Sequence, residues 1–175
     1  MTIANKKKGI LFWITGLSGS GKTTLGKAIH NDIKRLYGPT IMISGDNVRK
    51  IFNLTGHTKE ERLKITESYC RFAKYITDQK INIIFAVVGM FDKPRKWNKQ
   101  NIKNYIEIYI KSNLCKIIKL KKKKIYHKKN IRNLVGIDII PEFPKKPDIK
   151  IFDSFDKDKE KISKKILLEI QKKII

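Results

Sequence analysis

The sequence predicts an α/β protein of three layers, in which a parallel β-sheet lies between two layers of helices. Short apolar runs that suit buried strands alternate along the chain with amphipathic segments of helix length. That alternation builds a parallel sheet covered on both faces. One apolar run, residues 10–14, leads directly into a glycine-rich segment and then a helix. The 175 residues are predicted to form a single domain, because this length supports one α/β core.

The glycine-rich segment, residues 16–23, has the sequence GLSGSGKT and fits the phosphate-binding pattern G-x-x-x-x-G-K-[ST]. Glycines let backbone N–H groups turn toward phosphates, and the following helix start adds positive potential. We expect Lys22 to contact the β- and γ-phosphates and the Thr23 hydroxyl to hold Mg²⁺. A P-loop NTPase fold with ATP and Mg²⁺ as cofactors is therefore predicted. The predicted ATP-binding residues are Gly16, Leu17, Ser18, Gly19, Ser20, Gly21, Lys22, Thr23 and Thr24.

A helix is predicted after this loop, from Lys22 to about Tyr37, because Gly38-Pro39 is a strong helix stop. The next apolar run, residues 40–44, predicts a second buried strand. Asp46 follows at once, so its carboxylate lies just past the C-terminal end of a strand. Open α/β sheets bind ligands at this edge, which makes Asp46 a candidate catalytic residue.

The middle of the chain continues the alternation. A short helix is predicted over residues 47–52. A capping-box pattern at Thr58 opens a helix of about twenty residues that ends near Gln79. Core strands are predicted over residues 81–88 and 105–110, both of which are short apolar runs.

The last third of the chain is less regular. Residues 121–147 are basic and are broken by a glycine and prolines, so they predict either a solvated loop or a mobile lid over the site. An edge strand is predicted over residues 149–152, and a charged amphipathic helix over residues 156–175.

The formal net charge of +24 suits a nucleic-acid binder. However, basic residues occur throughout a chain rich in Lys, Ile and Asn, with neither an aromatic-interleaved basic strand nor zinc-finger spacing. We therefore attribute most of the charge to compositional bias and do not expect nucleic acid as a partner. The charge still attracts anionic nucleotide substrates, which are the predicted partners.

No apolar run approaches the roughly 20 residues of a membrane-spanning helix, and the N-terminus lacks a secretory pattern. We expect no membrane contact and a cytoplasmic protein. Cys70 and Cys115 are isolated and lack the spacing of metal ligands. A homodimer is one assembly that the sequence leaves open.

Several motifs together resemble the adenylylsulfate kinases, P-loop enzymes that phosphorylate the 3′-hydroxyl of adenosine 5′-phosphosulfate. Residues 12–25 resemble the opening block of that family, and residues 44–49, SGDNVR, resemble its Asp-Gly-Asp-Asn-Val-Arg motif. Glu61-Arg62 falls where the family has an acidic residue followed by arginine, and residues 136–147 resemble the end of its lid. The resemblance covers the chain from residue 10 to about residue 150. It implies ATP-dependent phosphorylation of that hydroxyl, as in sulfate assimilation.

The resemblance implies roles for individual residues. Asp46 would accept a hydrogen bond from the acceptor hydroxyl and take its proton, or would order the water shell of the metal. Lys22 would stabilise the transferred phosphoryl group. The alternative role for Asp46 is that of a helix N-cap. The alternative role for Arg49 and Arg62 is surface ion pairing. The residues implied in acceptor binding are Arg49, Arg62, His57, Lys123 and Leu134.

The departures from the family concentrate in its acceptor half. Ser44 replaces the first aspartate of the Asp-Gly-Asp motif, Ile65 stands where the family has a substrate-binding asparagine, and Gly89 stands where it has a serine. His57 and Leu134 stand where the family usually has two phenylalanines that enclose the adenine. Base stacking is worth ~1–3 kcal/mol for each aromatic partner, so we expect weaker or redirected acceptor binding.

Residues 92–102 resemble a second branch, the cytidine diphosphoramidate kinases encoded with surface-polysaccharide genes. A cytidine diphosphate derivative is therefore the alternative acceptor, while a plain helix surface with Trp97 packed on the sheet is the simpler explanation of that segment. Two other classes stay open. A nucleotide-binding protein without activity is suggested by the altered acceptor half, and an RNA-binding P-loop protein is suggested by charge alone.

Overall fold

The structure, a computed structural model, describes residues 8–119, 133–152 and 159–174. Within these residues the elements follow in the order β1 (Leu11–Gly16), α1 (Lys22–Tyr37), β2 (Thr40–Ser44), α2 (Gly45–Ile51), α3 (Lys59–Asp78), β3 (Asn82–Val87), α4 (Asp92–Asn101), β4 (Tyr105–Lys111), α5 (Leu114–Lys119), β5 (Ile149–Phe152) and α6 (Lys159–Ile174). Among them, no helix combines the length and the apolar character that a membrane crossing requires.

The strands form one parallel sheet in the order β2-β3-β1-β4-β5. The central strand, β1, pairs with β3 and β4, so that Leu11 lies opposite Ile83 on one side and Tyr105 on the other. Parallel neighbours need crossover connections, which the helices supply. The predicted α/β fold with a helix-flanked parallel sheet is confirmed.

Successive side chains of β1 point to opposite faces of the sheet, as the pleat of a strand requires, and they pack against the helices on those two faces. Phe12 packs with Ile29 of α1 and Ile166 of α6 on one face. Trp13 packs with Tyr69 of α3 on the other face. Burying an apolar side chain of this size stabilises the fold by about 1.5–3 kcal/mol. This packing on both faces stabilises the sheet, and the loops described below lie at its C-terminal edge.

The sequence predicts several elements to within a residue or two. The bounds of α1 and β2 agree with their predictions. The predicted capping box at the start of α3 is formed, with the Thr58 hydroxyl accepting from the Glu61 backbone N–H and the Glu61 carboxylate accepting from the Thr58 backbone N–H. The short helix α2 starts at Gly45, two residues before its predicted start.

The described part of the predicted lid differs from a solvated loop. Leu134, Val135 and Ile139 are buried, and the last two pack with Met90 and Tyr109. Apolar side chains spaced irregularly along a basic segment gave no periodic signal, which is why the sequence did not predict this packing. The preceding part of the predicted lid, with the predicted acceptor-binding residue Lys123, lies outside the described residues.

Candidate functional site

The glycine-rich loop joins the C-terminal end of the central strand to α1. Gly16, Gly19 and Gly21 have φ angles of 156°, 81° and 90°, a region that L side chains rarely adopt. A Cβ atom at Gly16 would also lie 2.7 Å from the backbone oxygen of Ile110 on β4. The tight path of the loop therefore requires glycine.

The N-terminus of α1 is suited to an anion. Its N-cap, Gly21, supplies no side-chain cap, and its first turn carries no acidic residue. The first N–H groups of a helix and its dipole favour a negative group there. Ser20 Oγ is buried without a hydrogen-bond partner, and Thr23 and Thr24 are exposed. These features fit a bound phosphate, and an exposed Thr23 hydroxyl fits a ligand of Mg²⁺.

The charged end of the Lys22 side chain lies against this loop. The residue is 9% exposed, and Nζ donates to the backbone oxygen of Leu17 at 2.6 Å. The ammonium group therefore lies beside the residues predicted to bind phosphates instead of extending into solvent.

Asp46 lies in the first turn of α2, directly beyond β2, and is exposed. The N-cap of this helix is Ser44, whose side chain accepts a hydrogen bond from the Asn47 backbone N–H at 3.2 Å. The capping role considered for Asp46 thus belongs to Ser44, the residue that departs from the family motif. The carboxylate of Asp46 lies at the edge of the sheet where open α/β folds bind ligands.

Arg49 and Arg62 both hold the segment that joins α2 to α3. Arg49 Nη1 donates to the backbone oxygens of Leu54 at 3.1 Å and Gly56 at 2.8 Å. Arg62 Nε donates to the backbone oxygen of His57 at 2.8 Å. The structure therefore brings together three of the predicted acceptor-binding residues, two arginines and His57, around one short segment.

Electrostatics links these residues. Partial burial lowers the pKa of His57, and the charges of Arg62 and Arg49 lower it further, which favours the neutral imidazole. Burial lowers the pKa of the Arg62 guanidinium, and the nearby charge of Arg49 acts in the same direction. Two adjacent guanidinium groups favour a phosphate-type group, which can accept their forked hydrogen bonds.

Tyr69 of α3 belongs to the same region, although the sequence analysis did not single it out. Its hydroxyl donates to the backbone oxygen of Gly45 at 3.2 Å. Burial raises the pKa of the phenol, while the arginine charges lower it and the charge of Asp46 raises it. Tyr69 therefore supports the start of α2 beneath the candidate catalytic residue. A polar-tipped aromatic on the apolar face of a helix is the signal that could have found it.

Leu134 begins a turn that lies near the glycine-rich loop. It is 8% exposed, and its backbone oxygen accepts from three following N–H groups in a compact turn. A Cβ atom at Gly136 would lie 3.2 Å from Leu17 Cδ2, so this turn packs on the loop predicted to bind ATP. The remaining predicted acceptor-binding residue, Lys123, lies outside the described residues.

The chain is similar in sequence to known kinases. The profile of the family described as adenylylsulphate kinase matches residues 8–152. The cytidine diphosphoramidate kinase of Campylobacter jejuni is 36% identical over 143 residues, which cover 80% of this chain and 83% of that protein. The adenylyl-sulfate kinase of Clostridium acetobutylicum is 32% identical over 151 residues, which cover 83% of this chain and 76% of that protein.

The fold is also found among solved structures. The structure of the Mycobacterium tuberculosis APS kinase in complex with AMPPNP and APS matches with a TM-score of 0.84 at 20% identity, over 94% of this chain and 98% of that chain. At this identity the likeness shows the fold, that of a P-loop NTPase. The extent of the profile match, together with the identity of the sequence relatives, shows that this chain belongs to the adenylylsulphate kinase family.

Proposed function

We propose that this protein transfers the γ-phosphoryl group of ATP to a ribose hydroxyl of a nucleotide, and that its preferred acceptor is a cytidine diphosphate derivative such as cytidine diphosphoramidate. The observation that carries the proposal is the arrangement at the C-terminal edge of the sheet. A phosphate-binding loop with a buried lysine adjoins one side of that edge. An exposed Asp46 and two arginines occupy the α2–α3 side.

The residues of this chain divide the chemistry between them. Loop amides and Lys22 would hold the phosphates of ATP and neutralise charge on the transferred group. Thr23 would hold Mg²⁺, which supplies further neutralisation of phosphate charge when bound. Asp46 would accept the proton of the acceptor hydroxyl, and Arg49 and Arg62 would bind the acceptor phosphates.

The choice of cytidine rests on two supports. The relative described as a cytidine diphosphoramidate kinase is 36% identical to this chain. At the two positions where the resemblance to the family implies base-stacking phenylalanines, this chain has His57 and Leu134. A one-ring pyrimidine needs less stacking area than a purine, and a neutral imidazole can still donate or accept a hydrogen bond at a base edge.

Adenosine 5′-phosphosulfate is the second candidate acceptor. It is supported by the profile match over residues 8–152 and by the 32% identity to an adenylyl-sulfate kinase. The arginine pair favours either compound, because both carry anionic groups on the 5′ side of the ribose.

A side-by-side assay tests the proposal. The purified protein is given Mg²⁺ and ATP with either cytidine diphosphoramidate or adenosine 5′-phosphosulfate, and product formation is measured over a range of acceptor concentrations. We expect kcat/KM to be at least about tenfold higher for the cytidine compound, a preference of ~1.4 kcal/mol. The reverse preference would assign the adenosine compound instead. ATP consumption that does not depend on either acceptor would reject both and favour a binding protein without this activity.

The variant His57→Phe tests the base-binding assignment within the same assay. The added ring supplies a stacking partner that suits a purine more than a pyrimidine. We expect the apparent KM for adenosine 5′-phosphosulfate to fall, with that for the cytidine compound serving as the internal control. An equal change for both compounds would place His57 outside the base site.

A further inference from the structure

Arg95 of α4 is charged but only 5% exposed, and its guanidinium joins four groups. Nη1 donates to the backbone oxygen of Gly89 at 3.3 Å, and Nη2 donates to the backbone oxygen of Glu142 at 2.7 Å. Nη2 also pairs with the carboxylate of Asp92, and Nε lies 3.0 Å from Glu107 Oε1 on β4. One side chain thus connects three separate parts of the chain.

The first part is the end of β3, beside the glycine-rich loop. Gly89 directly follows Val88, whose backbone oxygen accepts a hydrogen bond from the Thr15 hydroxyl at 2.8 Å. Thr15 is the residue before Gly16, where the glycine-rich loop begins. Arg95 therefore holds a segment that is bonded directly to the strand carrying the predicted phosphate site.

The second part is the segment around Glu142. Its backbone N–H donates to the Met90 oxygen at 2.9 Å, and its carboxylate accepts from the Asp92 backbone N–H at 2.6 Å. The N-cap of α4, Phe91, has no side-chain cap bond. Glu142 thus caps α4 from a distant part of the chain, at the helix end where a carboxylate is favoured.

This segment leads back to the predicted acceptor site. Residues 134–139 form the compact turn that contains Leu134 and packs on Leu17 through Gly136. Val135 and Ile139 of that turn pack with Met90. The position of Leu134 is therefore fixed at one end by the glycine-rich loop and at the other by the contacts around Arg95.

We propose that Arg95 is a positioning residue for acceptor binding: it fixes the segment 134–142, and with it Leu134, relative to the end of β3 and the glycine-rich loop. The proposal rests on the proposed function insofar as Leu134 lines the acceptor site.

The geometry favours this role over simple packing. Burying a charge is costly, and an apolar side chain of similar volume often stabilises a core equally well or better. A guanidinium, however, has five donors in a rigid plane, so it can donate to two backbone oxygens and one carboxylate in fixed directions while its charge pairs with a second carboxylate. The backbone oxygens that it binds belong to two segments far apart in sequence, and no neutral side chain of similar size offers these donors.

Two variants test the proposal by kinetics. Arg95→Lys keeps the charge but loses the planar fork. The double variant Arg95→Met/Glu107→Gln also removes the buried carboxylate that would otherwise lose its partner. In both we expect the acceptor KM to rise about tenfold or more, with kcat and the ATP KM within about threefold of wild type, because binding geometry is lost but the phosphate loop is not. Arg35→Met, which removes an exposed arginine paired with Asp32, is the matched control and should leave all three parameters unchanged.

Amide hydrogen exchange provides a second readout that needs no substrate. We expect faster exchange at residues 134–142 in both Arg95 variants, with exchange at residues 16–23 unchanged. Uniformly faster exchange, or kcat and both KM values changed together, would indicate a merely structural role and overturn the proposal. Inactive wild-type protein would reject the proposed function, and exchange alone would then decide whether Arg95 fixes this segment. Unchanged exchange in active variants would reject the role of Arg95 and leave the proposed function standing.

Discussion

Lys22 is largely buried, and its Nζ is hydrogen-bonded to the Leu17 oxygen at 2.6 Å. The variant Lys22→Ala loses that bond, worth about 1 kcal/mol, and the charge that would stabilise the transferred phosphoryl group. We expect acceptor-dependent ATP turnover to fall at least about 10²-fold, as for loss of one preorganised electrostatic donor. The Tm should fall by no more than about 4 °C.

Lys27→Ala is the control for this variant, because Lys27 is exposed further along the same helix. It should retain both turnover and Tm. Wild-type turnover in Lys22→Ala would contradict the kinase assignment.

Asp46→Asn preserves the size and much of the hydrogen bonding of Asp46 but removes its charge and basicity. Since Ser44 caps α2, this change should leave the helix intact. We expect turnover to fall at least about 10²-fold, the lower range for loss of a general base, with little change in ATP affinity. Asp32→Asn, the same change on the surface of α1, provides the comparison. A decrease of less than about threefold in kcat would show that Asp46 takes no part in proton transfer.

For individual residues, local sequence patterns predicted features whose residues lie close together in the sequence. The glycine-rich loop and the grouping of Arg49 with Arg62 followed from motifs and resemblance. The hydrogen-bond partners of Tyr69 and Arg95, which are Gly45 and Glu142, could not be predicted, because they come from distant segments. Nothing in a lysine-rich stretch indicates which cation will be buried.

Among the elements, the contact between α4 and β4 makes stability depend on pH. Burial raises the pKa of Glu107 from 4.5 to about 7, against the attraction of Arg95 and with the added repulsion of Asp148 and Asp92. The folded state favours the protonated form of Glu107. The contribution of this carboxyl to the free energy of unfolding is therefore complete below pH 4.5, and it is lost as the pH rises through about 7. The difference corresponds to about 3 kcal/mol.

The variant Glu107→Gln tests this dependence, because glutamine does not titrate. Denaturant unfolding at pH 5 and pH 8 should show a smaller loss of unfolding free energy with rising pH in the variant than in wild type. Glu60→Gln, an exposed carboxylate at the start of α3, should behave as wild type. Parallel pH profiles for wild type and Glu107→Gln would show that this carboxyl does not titrate abnormally.

Elements with strong local signals were predicted best. Gly38-Pro39 ends α1, and the capping box starts α3. The sequence analysis did not predict α5, a six-residue helix at Leu114–Lys119, because so short a segment shows little periodicity. The packed turn at residues 134–139 was missed for a different reason, since its stability comes from contacts with Met90 and Leu17.

At the scale of the whole molecule, the net charge of +24 should influence how nucleotides reach the site. Long-range attraction of anions is screened by salt, with a Debye length of about 10 Å at 0.1 M ionic strength. We therefore expect kcat/KM to fall as ionic strength rises, with kcat changing little. Initial rates at several salt concentrations measure this, and a salt-independent kcat/KM would contradict it.

Polyuridine added at about 0.15 M salt tests the class suggested by charge alone. We expect no inhibition of phosphoryl transfer and no tight binding. High-affinity, strongly salt-dependent binding would favour an RNA-binding protein. The homodimer and the cytoplasmic location stay predictions, since neither follows from the fold of one chain.

The order of strands in the sheet has a consequence for how the chain is made. The central strand, β1, is synthesised first, yet its two partners are β3 and β4, which start at Asn82 and Tyr105. At translation rates of about 5–20 residues per second, β4, the second strand that pairs with β1, is synthesised several seconds after β1. Pairing across such sequence separation is slow to form. The first part of the predicted nucleotide site to leave the ribosome is therefore among the last to be enclosed. A nascent chain that stops before β4 leaves this apolar strand exposed to aggregation.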